Sequence, residues 1–265
     1  MFVNIQFKNM KILKFKYLFL IISFLFIASS CSSDDDSDGE NNPHAENLKS
    51  LGTSAGDILS ENIYTSLTVE LAFPEGFRPL QETIDTFSLF LEERLNKPDG
   101  ILFVETEIIT PSVSTQTISE IREIEAEQRT QYTVGSDIAV FIYFTNAKSD
   151  SDTEISKTLG TAYYNTSMVV FEKTLRSVST TQGFDLFLLE ETTLQHEFGH
   201  VLGLVDLRDD DIHEGHEDPL HSNHCIVQDC LMYYESNSTQ AFRKISSVPL
   251  LDPLCIEDLQ AKGGK

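Results

Sequence analysis

The sequence predicts an α/β (α+β) fold in which a mixed, twisted sheet lies over one long helix. Strand-like and helix-like segments alternate along the first part of the chain, and the longest helical segment follows the last strand. With 265 residues, 40% of them hydrophobic, the chain can bury one substantial core. Since strands interleaved with helices form sheets covered by helices, we expect one layered domain with a small C-terminal subdomain.

Each element is predicted from the spacing of its apolar residues. Alternating apolar residues indicate strands, and a continuous apolar run, as in residues 137–144, is typical of a central strand. Apolar residues three and four positions apart indicate helices. Residues 160–171 fit either a single strand or a hairpin. The predicted strands cover residues 64–73, 101–109, 137–144 and 160–171, and the predicted helices cover residues 80–95, 118–132 and 184–204.

The first thirty residues have the features of an export signal. Lysines precede an apolar run at residues 17–28, and small residues lead from it into Cys31. The run is shorter than the roughly 20 apolar residues that a membrane span needs. A cysteine in this position resembles the acylated cysteine of bacterial lipoproteins. We therefore expect a signal peptide at residues 1–30 and a lipid anchor at Cys31, with a disulfide-bonded Cys31 in a secreted protein as the alternative.

The residues after Cys31 are polar and acidic, and they predict a flexible tether at residues 31–51 ahead of a catalytic domain at residues 52–265. We expect the protein at the bacterial outer membrane, and the acidic run also resembles signals for export to the cell surface. The formal net charge is -23. Such a chain is not expected to bind nucleic acid or anionic lipid. The acidic surface favours solubility over selection of a cationic substrate.

Six of the seven histidines lie between residues 196 and 224, and the densest stretch is His196-Glu-Phe-Gly-His200. Histidines four residues apart on a helix project from one face, so both imidazoles can bind one ion. Glu197 stands where a carboxylate can take a proton from an activated water. The alternative is a chance match on an amphipathic helix. Gly203 disfavours it, because a glycine there can end the helix in a left-handed turn.

The stretch His-Glu-x-x-His-x-x-Gly resembles the opening of the metzincin signature, in which the glycine turns the chain toward a third zinc ligand. Two residues could be that ligand. Asp206 stands three residues after Gly203, where metzincins carry His or Asp. His224 begins a His-Cys-x-x-x-x-Cys-x-Met stretch that resembles archaemetzincins, and it would follow an insertion at residues 204–223. We favour His224, since imidazole is the commoner zinc ligand, and keep Asp206 as the alternative.

The following residues extend this resemblance. Met232 matches the methionine of the tight turn under the metal in metzincins, and Tyr234 matches a position that offers its phenol to the metal or to the oxyanion. Archaemetzincins also complete a second, structural zinc site with a Cys-x-x-Cys pair. This chain lacks the pair, so we expect no second ion. In an exported protein Cys225 and Cys230 would then form a disulfide, with Cys255 left over.

The resemblance implies a zinc-dependent endopeptidase with one catalytic ion. Its peptide or protein substrate would lie against an edge strand, for which residues 160–171 are the candidate. We expect a monomer. Two rivals stay open: a non-catalytic surface lipoprotein that captures zinc or another divalent ion through the loop at residues 213–224, and a metzincin-like module without activity. His213, His216 and His221, within that loop, are expected to be solvated. The chain has no Gly-x-Ser-x-Gly elbow and no phosphate-binding loop, which excludes serine hydrolases and nucleotide enzymes of those types.

Overall fold

A five-stranded mixed sheet lies at the centre of the protein, in a computed structural model that describes residues 42–213, 215–235, 242 and 246–265. The expected signal peptide, the expected anchor at Cys31 and most of the expected tether lie outside the described residues. Pro43–Lys265 forms one compact unit. In the described part of the chain, no helix has the length and apolar character to cross a membrane.

The described residues form two sheets from the strands β1 (Ser66–Phe73), β2 (Gly100–Glu107), β3 (Thr115–Gln116), β4 (Asp137–Phe144), β5 (Lys148–Ser149), β6 (Gly160–Tyr164) and β7 (Ser167–Val170). The main sheet has the order β2-β1-β4-β7-β6. Its first four strands are parallel, and β6 is antiparallel to β7 at the edge. A small second sheet pairs β3 with β5.

Two sequence predictions about strands are confirmed. Residues 137–144 form β4, which lies in the middle of the main sheet. The continuous apolar run fits this place because side chains on both faces of β4 are buried. Residues 160–171 form the β6–β7 hairpin, with β6 at the sheet edge. The α/β architecture with a mixed sheet therefore agrees with the sequence.

Helices cover both faces of the main sheet. Phe87 packs edge-on against Phe198 on one face, with ring centroids 5.4 Å apart. Ile121 and Ile124 pack on the other face. Phe198 belongs to the long helix Leu186–Val201, so this helix lies against the sheet as predicted. The helices are α1 (Ala55–Leu59), α2 (Gln81–Arg94), α3 (Ile118–Gln128), α4 (Glu172–Gln182), α5 (Leu186–Val201) and α6 (Pro253–Ala261).

Two features differ from the sequence predictions. Periodicity does not predict α4, because Leu175 and Val178 are its only apolar residues in a stretch rich in Ser and Thr. Both are buried in the core. The expected tether ran to residue 51, whereas Asn47 is buried in the domain and donates hydrogen bonds to Ala139 O (2.9 Å) and Thr166 Oγ1 (3.0 Å). A polar segment can pack in this way because hydrogen bonds satisfy it.

Helix α5 carries two consecutive buried acidic residues, Glu190 and Glu191. Glu190 accepts hydrogen bonds from the Thr83 hydroxyl (2.6 Å) and the Leu80 N–H (2.9 Å). Glu191 Oε1 accepts one from Gln195 Nε2 at 2.5 Å, while its Oε2 makes no hydrogen bond to the described residues. Burial raises the pKa of Glu191 from 4.5 to about 8. The helix that carries the histidine motif therefore holds a buried carboxyl group with only one of its two oxygens hydrogen-bonded to described residues.

We predict that Glu191→Gln stabilises the protein more at high pH than at low pH. A carboxyl whose pKa is raised on folding holds its proton more tightly in the folded state, so stability falls as pH rises from 4.5 to about 8. A glutamine cannot ionise and can still accept from Gln195. At pH 8 the free energy of unfolding should rise by on the order of 2 kcal/mol, or roughly 5 °C in Tm, with a much smaller gain near pH 5.

Thermal unfolding followed by circular dichroism at both pH values measures this effect. The same exchange at the exposed Glu123 is the control and should change Tm little at either pH. Equal shifts for Glu191→Gln at the two pH values would contradict the prediction.

Candidate metal centre and active-site cleft

The last turns of α5 bring His196, Glu197 and His200 to the wall of a cleft. The helix begins at Asp185, whose carboxylate accepts the N–H of Phe187 at 3.0 Å. It ends just before Gly203, which has a φ of 72° and donates its N–H to the carbonyl of His200 at 3.0 Å. The left-handed turn predicted at Gly203 is present, and it directs the chain away from the helix axis.

Three histidines converge beside this helix end. The ring centroids of His196 and His200 are 5.0 Å apart, and His224 lies 5.4 Å from the first and 5.1 Å from the second. One ring nitrogen of each lies within 4.8 Å of the others. Asp206, the alternative third ligand, is outside this cluster, with its backbone N–H 2.6 Å from an oxygen of Asp211. The structure thus brings together the three histidines that the sequence favours as ligands, and Asp206 lies apart from them.

The three imidazoles are in the protonation state that metal binding requires. His196 Nδ1 donates to the carbonyl of Leu231 at 2.8 Å, so Nε2 is the unprotonated nitrogen of the neutral ring. Burial lowers the pKa of His196 to about 4 and the pKa of His200 well below its usual value. Burial also lowers the pKa of His224. All three rings are therefore neutral at pH 7, as the donor set of a zinc-type ion must be.

Glu197 links the helix to the edge strand. Its Oε2 accepts the backbone N–H of Ala162, in β6, at 3.0 Å. This approach depends on Gly160, because a Cβ there would come 2.5 Å from Cγ of Glu197 and 2.8 Å from Cγ2 of Thr193. The carboxylate is thus fixed between the three histidines and the sheet edge. It lines a cleft of about 380 Å³ together with residues that include Leu51, Lys157, Thr161, Leu207 and Asn223.

Met232 and Tyr234 occupy the places expected from the sequence. A Cβ on Gly199 would overlap the sulfur of Met232, so that methionine lies directly against α5. The Met232 carbonyl accepts the N–H of Cys225 at 2.8 Å, which joins this turn to the residue after His224. Tyr234 lines the cleft and donates its hydroxyl to Glu235 at 3.0 Å. That hydrogen bond raises the pKa of Tyr234 to about 12, so the phenol stays protonated.

The cysteines do not form the expected disulfide. Cys225, Cys230 and Cys255 are buried free thiols, and the Cys230 sulfur lies 3.7 Å from that of Cys255. Cys225 and Cys255 instead converge with two other donors, His216 and Asp252. His216 Nε2 lies 3.0 Å from the Cys225 sulfur and 3.2 Å from Asp252 Oδ2. A second buried cluster of metal-type donors therefore lies behind the first.

Two members of this cluster, His216 and Asp252, are not predicted from the sequence. His216 was expected to be solvated but is 2% exposed, and its Nδ1 lies 3.2 Å from Oδ2 of Asp258 in α6. Asp252 was not considered. The available signal was the spacing Asp252-x-x-Cys255, in which an acid stands where a Cys-x-x-Cys pair has its first cysteine. A search for cysteines alone could not find it.

Comparison with known proteins gives the fold a relative. No family model matches the chain, and no curated protein matches it either. The crystal structure of archaemetzincin from Methanopyrus kandleri aligns with a TM-score of 0.51 at 16% sequence identity, over 77% of this chain and 98% of that chain. The fold is metzincin-like. At this identity the likeness concerns the fold alone, and the metzincin-like fold agrees with the mixed sheet over α5.

We predict that His224→Ala removes one zinc ion per chain and that Asp206→Ala does not. His224 is the third nitrogen donor of the cluster, whereas Asp206 is outside it and hydrogen-bonds Asp211 within its own turn. Loss of one ligand of three should weaken zinc binding by more than roughly 100-fold. Metal analysis of the purified proteins, with competition by a chromophoric chelator, measures both effects. The opposite pattern would assign the third ligand to Asp206.

Proposed function

We propose that this protein is a zinc-dependent endopeptidase. The observation that carries the proposal is the convergence of three neutral imidazoles with Glu197 in one cleft beside the edge strand β6. Three protein ligands leave a zinc ion one position for water or substrate, which is the arrangement of catalytic zinc sites. A structural zinc site would fill that position with a fourth protein donor. The metzincin-like fold is consistent with this proposal.

The residues of the cleft have separate roles in the proposed reaction. A zinc ion held by the histidines would supply Lewis acidity to the attacking water and to the scissile carbonyl. Glu197 accepts the proton of the water and delivers it to the amine that leaves. Tyr234, protonated at neutral pH, would exchange its hydrogen bond to Glu235 for one to the oxyanion. The N–H of Ala162 holds the Glu197 carboxylate in place for both proton transfers.

The substrate of such an enzyme would bind as an extended strand. Strand β6 is the last strand of the main sheet, and Gly160, Thr161 and Ala162 line the cleft. An extended peptide could add to this edge through its backbone, with its scissile bond over the histidines. Backbone recognition of this kind accepts peptides and proteins of many sequences. We further propose that the enzyme acts outside the cytoplasm as a monomer anchored through Cys31, which rests on the sequence alone.

The rival, metal capture by the loop at residues 213–224, fits the contacts less well. His213 bonds Asp258 (2.8 Å) and Glu257 (3.0 Å) of α6. His221 bonds Asp218 at 2.8 Å. Because both ring nitrogens of His213 are bonded to carboxylates, His213 would have to break one of these bonds to take an ion from solution. The loop supports two built clusters rather than forming an open chelating surface.

We predict that Glu197→Gln abolishes peptide hydrolysis while zinc stays bound. The amide cannot accept a proton, so turnover of a quenched fluorescent peptide should fall by roughly 10³-fold. Zinc content should match the wild type, because Glu197 is not a member of the donor cluster. Glu191→Gln, the same exchange earlier in α5, is the control and should keep activity. Turnover by a zinc-loaded Glu197→Gln protein would refute the mechanism.

We also propose that the second cluster holds a structural zinc-type ion. The donors His216, Cys225, Asp252 and Cys255 are all buried, and their atoms lie within 4.8 Å of one another. Tetrahedral zinc with bonds of about 2.0–2.3 Å places its donors at separations of this size. The Cys230 sulfur, which accepts the N–H of Met232 at 3.3 Å, is a further thiolate donor at the same place.

The surroundings of this cluster fit a metal as well. Asp258 bonds the second ring nitrogen of His216, which is the carboxylate–histidine arrangement that orients metal ligands. Asp252 also caps α6 by accepting the N–H of Leu254 at 2.7 Å. Hydrogen bonds from Cys225 and Cys255 lower the pKa of Cys230 below the usual value of a thiol, which favours the thiolate that a metal binds. Asp252 and Cys255 stand where archaemetzincins have their Cys-x-x-Cys pair, and His216 from the inserted loop joins them.

We predict two zinc ions per chain in the wild type and one in Cys255→Ser. A serine oxygen is a poor zinc ligand, so the structural ion should be lost and Tm should fall by several degrees. Metal analysis and titration of thiols in denaturant measure the outcome. His213→Ala, which touches Asp258 but is outside the donor set, should keep both ions. A Cys225–Cys230 disulfide with one zinc in the wild type would contradict this proposal.

A further inference from the structure

The end of the inserted segment is a tight turn that does more than deliver His224. The N–H of Asp218 donates to the carbonyl of His224 at 2.7 Å, and the N–H of His224 donates to the carbonyl of His221 at 3.2 Å. Asn223 has a φ of 62°, and its N–H donates to Glu217 Oε1 at 2.6 Å. These bonds hold residues 217–224 in one conformation. Any side chain on this turn is therefore fixed relative to the third zinc ligand.

His221 on this turn stacks on Tyr234. The ring centroids are 3.5 Å apart and the planes differ by 4°. His221 Nδ1 lies 2.8 Å from Oδ2 of Asp218, and Asp218 Oδ1 accepts the N–H of Leu220 at 2.9 Å. Both the position and the plane of the imidazole are thereby set. A parallel ring at this distance prevents the phenol ring from turning out of its plane on that side.

We propose that Asp218 and His221 form a tyrosine clamp, which positions the phenol of Tyr234 for the developing oxyanion. The inference rests on the proposed function, because it assigns a purpose to Tyr234 in that reaction. The side chain of His221 is not a member of the donor clusters and takes no part of its own in the proposed reaction, so it is a positioning residue. Its action comes through Tyr234, whose ring would otherwise rotate about two side-chain bonds and reach the oxyanion in few of its orientations.

The contacts of His221 argue against its other possible roles. Its Nδ1 is bonded to Asp218, and one ring face is covered by Tyr234. It is absent from the donor clusters found among the described residues. A reserve zinc ligand would have to give up the stacking on Tyr234, and a merely solvated histidine would make neither contact. The clamp also explains why one short turn carries both His221 and His224. The same turn then positions the proposed zinc ligand His224 and, through His221, the oxyanion donor Tyr234.

A double-mutant cycle tests the clamp. Tyr234→Phe should lower kcat by roughly 100-fold, since one oxyanion donor is lost. His221→Ala should lower kcat by roughly tenfold with little change in KM, because the substrate still binds but the phenol is less often in place. In the Tyr234→Phe background, His221→Ala should have no further effect. His221→Phe keeps a flat ring against the tyrosine and should restore kcat to within about twofold of the wild type.

A second readout does not depend on turnover. With carbon-13-labelled tyrosine, the ring signals of Tyr234 should carry an upfield ring-current shift that His221→Ala removes and His221→Phe keeps. Zinc content should equal the wild type in all variants. Equal losses of kcat from His221→Ala in both backgrounds, no loss in either, full activity of Tyr234→Phe, or loss of zinc from His221→Phe would each overturn the clamp.

The same measurements separate failure of the clamp from failure of the proposed function. A wild type that hydrolyses peptide, with an inactive Glu197→Gln, keeps the peptidase proposal whatever the clamp variants do. A zinc-loaded wild type without peptide hydrolysis overturns the peptidase proposal and the clamp's role in it, even if the ring-current shift is present.

Discussion

The whole site depends on the close contact between α5 and the turn at Met232. Because Gly199 has no side chain, the methionine sulfur lies where a Cβ would be. His196 donates a hydrogen bond to the carbonyl of Leu231, directly before Met232, and this bond fixes how the helix is rotated against the turn. The Met232 carbonyl in turn accepts the N–H of Cys225, which brings His224 alongside the helix. The histidines are therefore placed by one packed junction and not by separate loops, so a change at Gly199 or Met232 would move all of them together.

Much of the fold could be predicted from the sequence, because strong local patterns carry it. The run of apolar residues in β4 and the helical spacing of α2 leave few alternatives, and their observed bounds differ from the predicted ones by no more than a residue or two. Helix α4 could not be predicted in the same way, since Leu175 and Val178 are its whole apolar face. It is held by packing against α5, which a pattern within one segment does not contain. The packing of Asn47 could not be predicted for a similar reason, because hydrogen bonds to distant residues produce no periodic pattern in the sequence.

In the candidate site, too, local patterns predict some residues, and long-range contacts place the others. Short-range spacing located His196, Glu197 and His200, since the helix itself brings them together. The third position stayed open between Asp206 and His224, because spacing cannot say how a long insertion folds back; the structure brings His224 to the cluster. The second cluster was missed because its members come from three separate segments and include an acid and a histidine in place of cysteines. Residues of different types that come from separate segments can be recognised as one cluster only when the tertiary structure shows that they lie together.

The inserted segment is better understood as a support than as a loop. Added length costs little in closure entropy, but a loose segment could not hold a metal ligand in place. Polar contacts remove that freedom: His213 and His216 bond Asp258, and Asp211 pairs with Lys262. All of these partners are in or next to α6, the last helix of the chain. The position of His224 therefore depends on a helix that contributes nothing to the cleft itself. Asp258 in α6 and Lys262 directly after the helix look like ordinary surface charges in the sequence, yet they hold the long inserted segment in an ordered conformation.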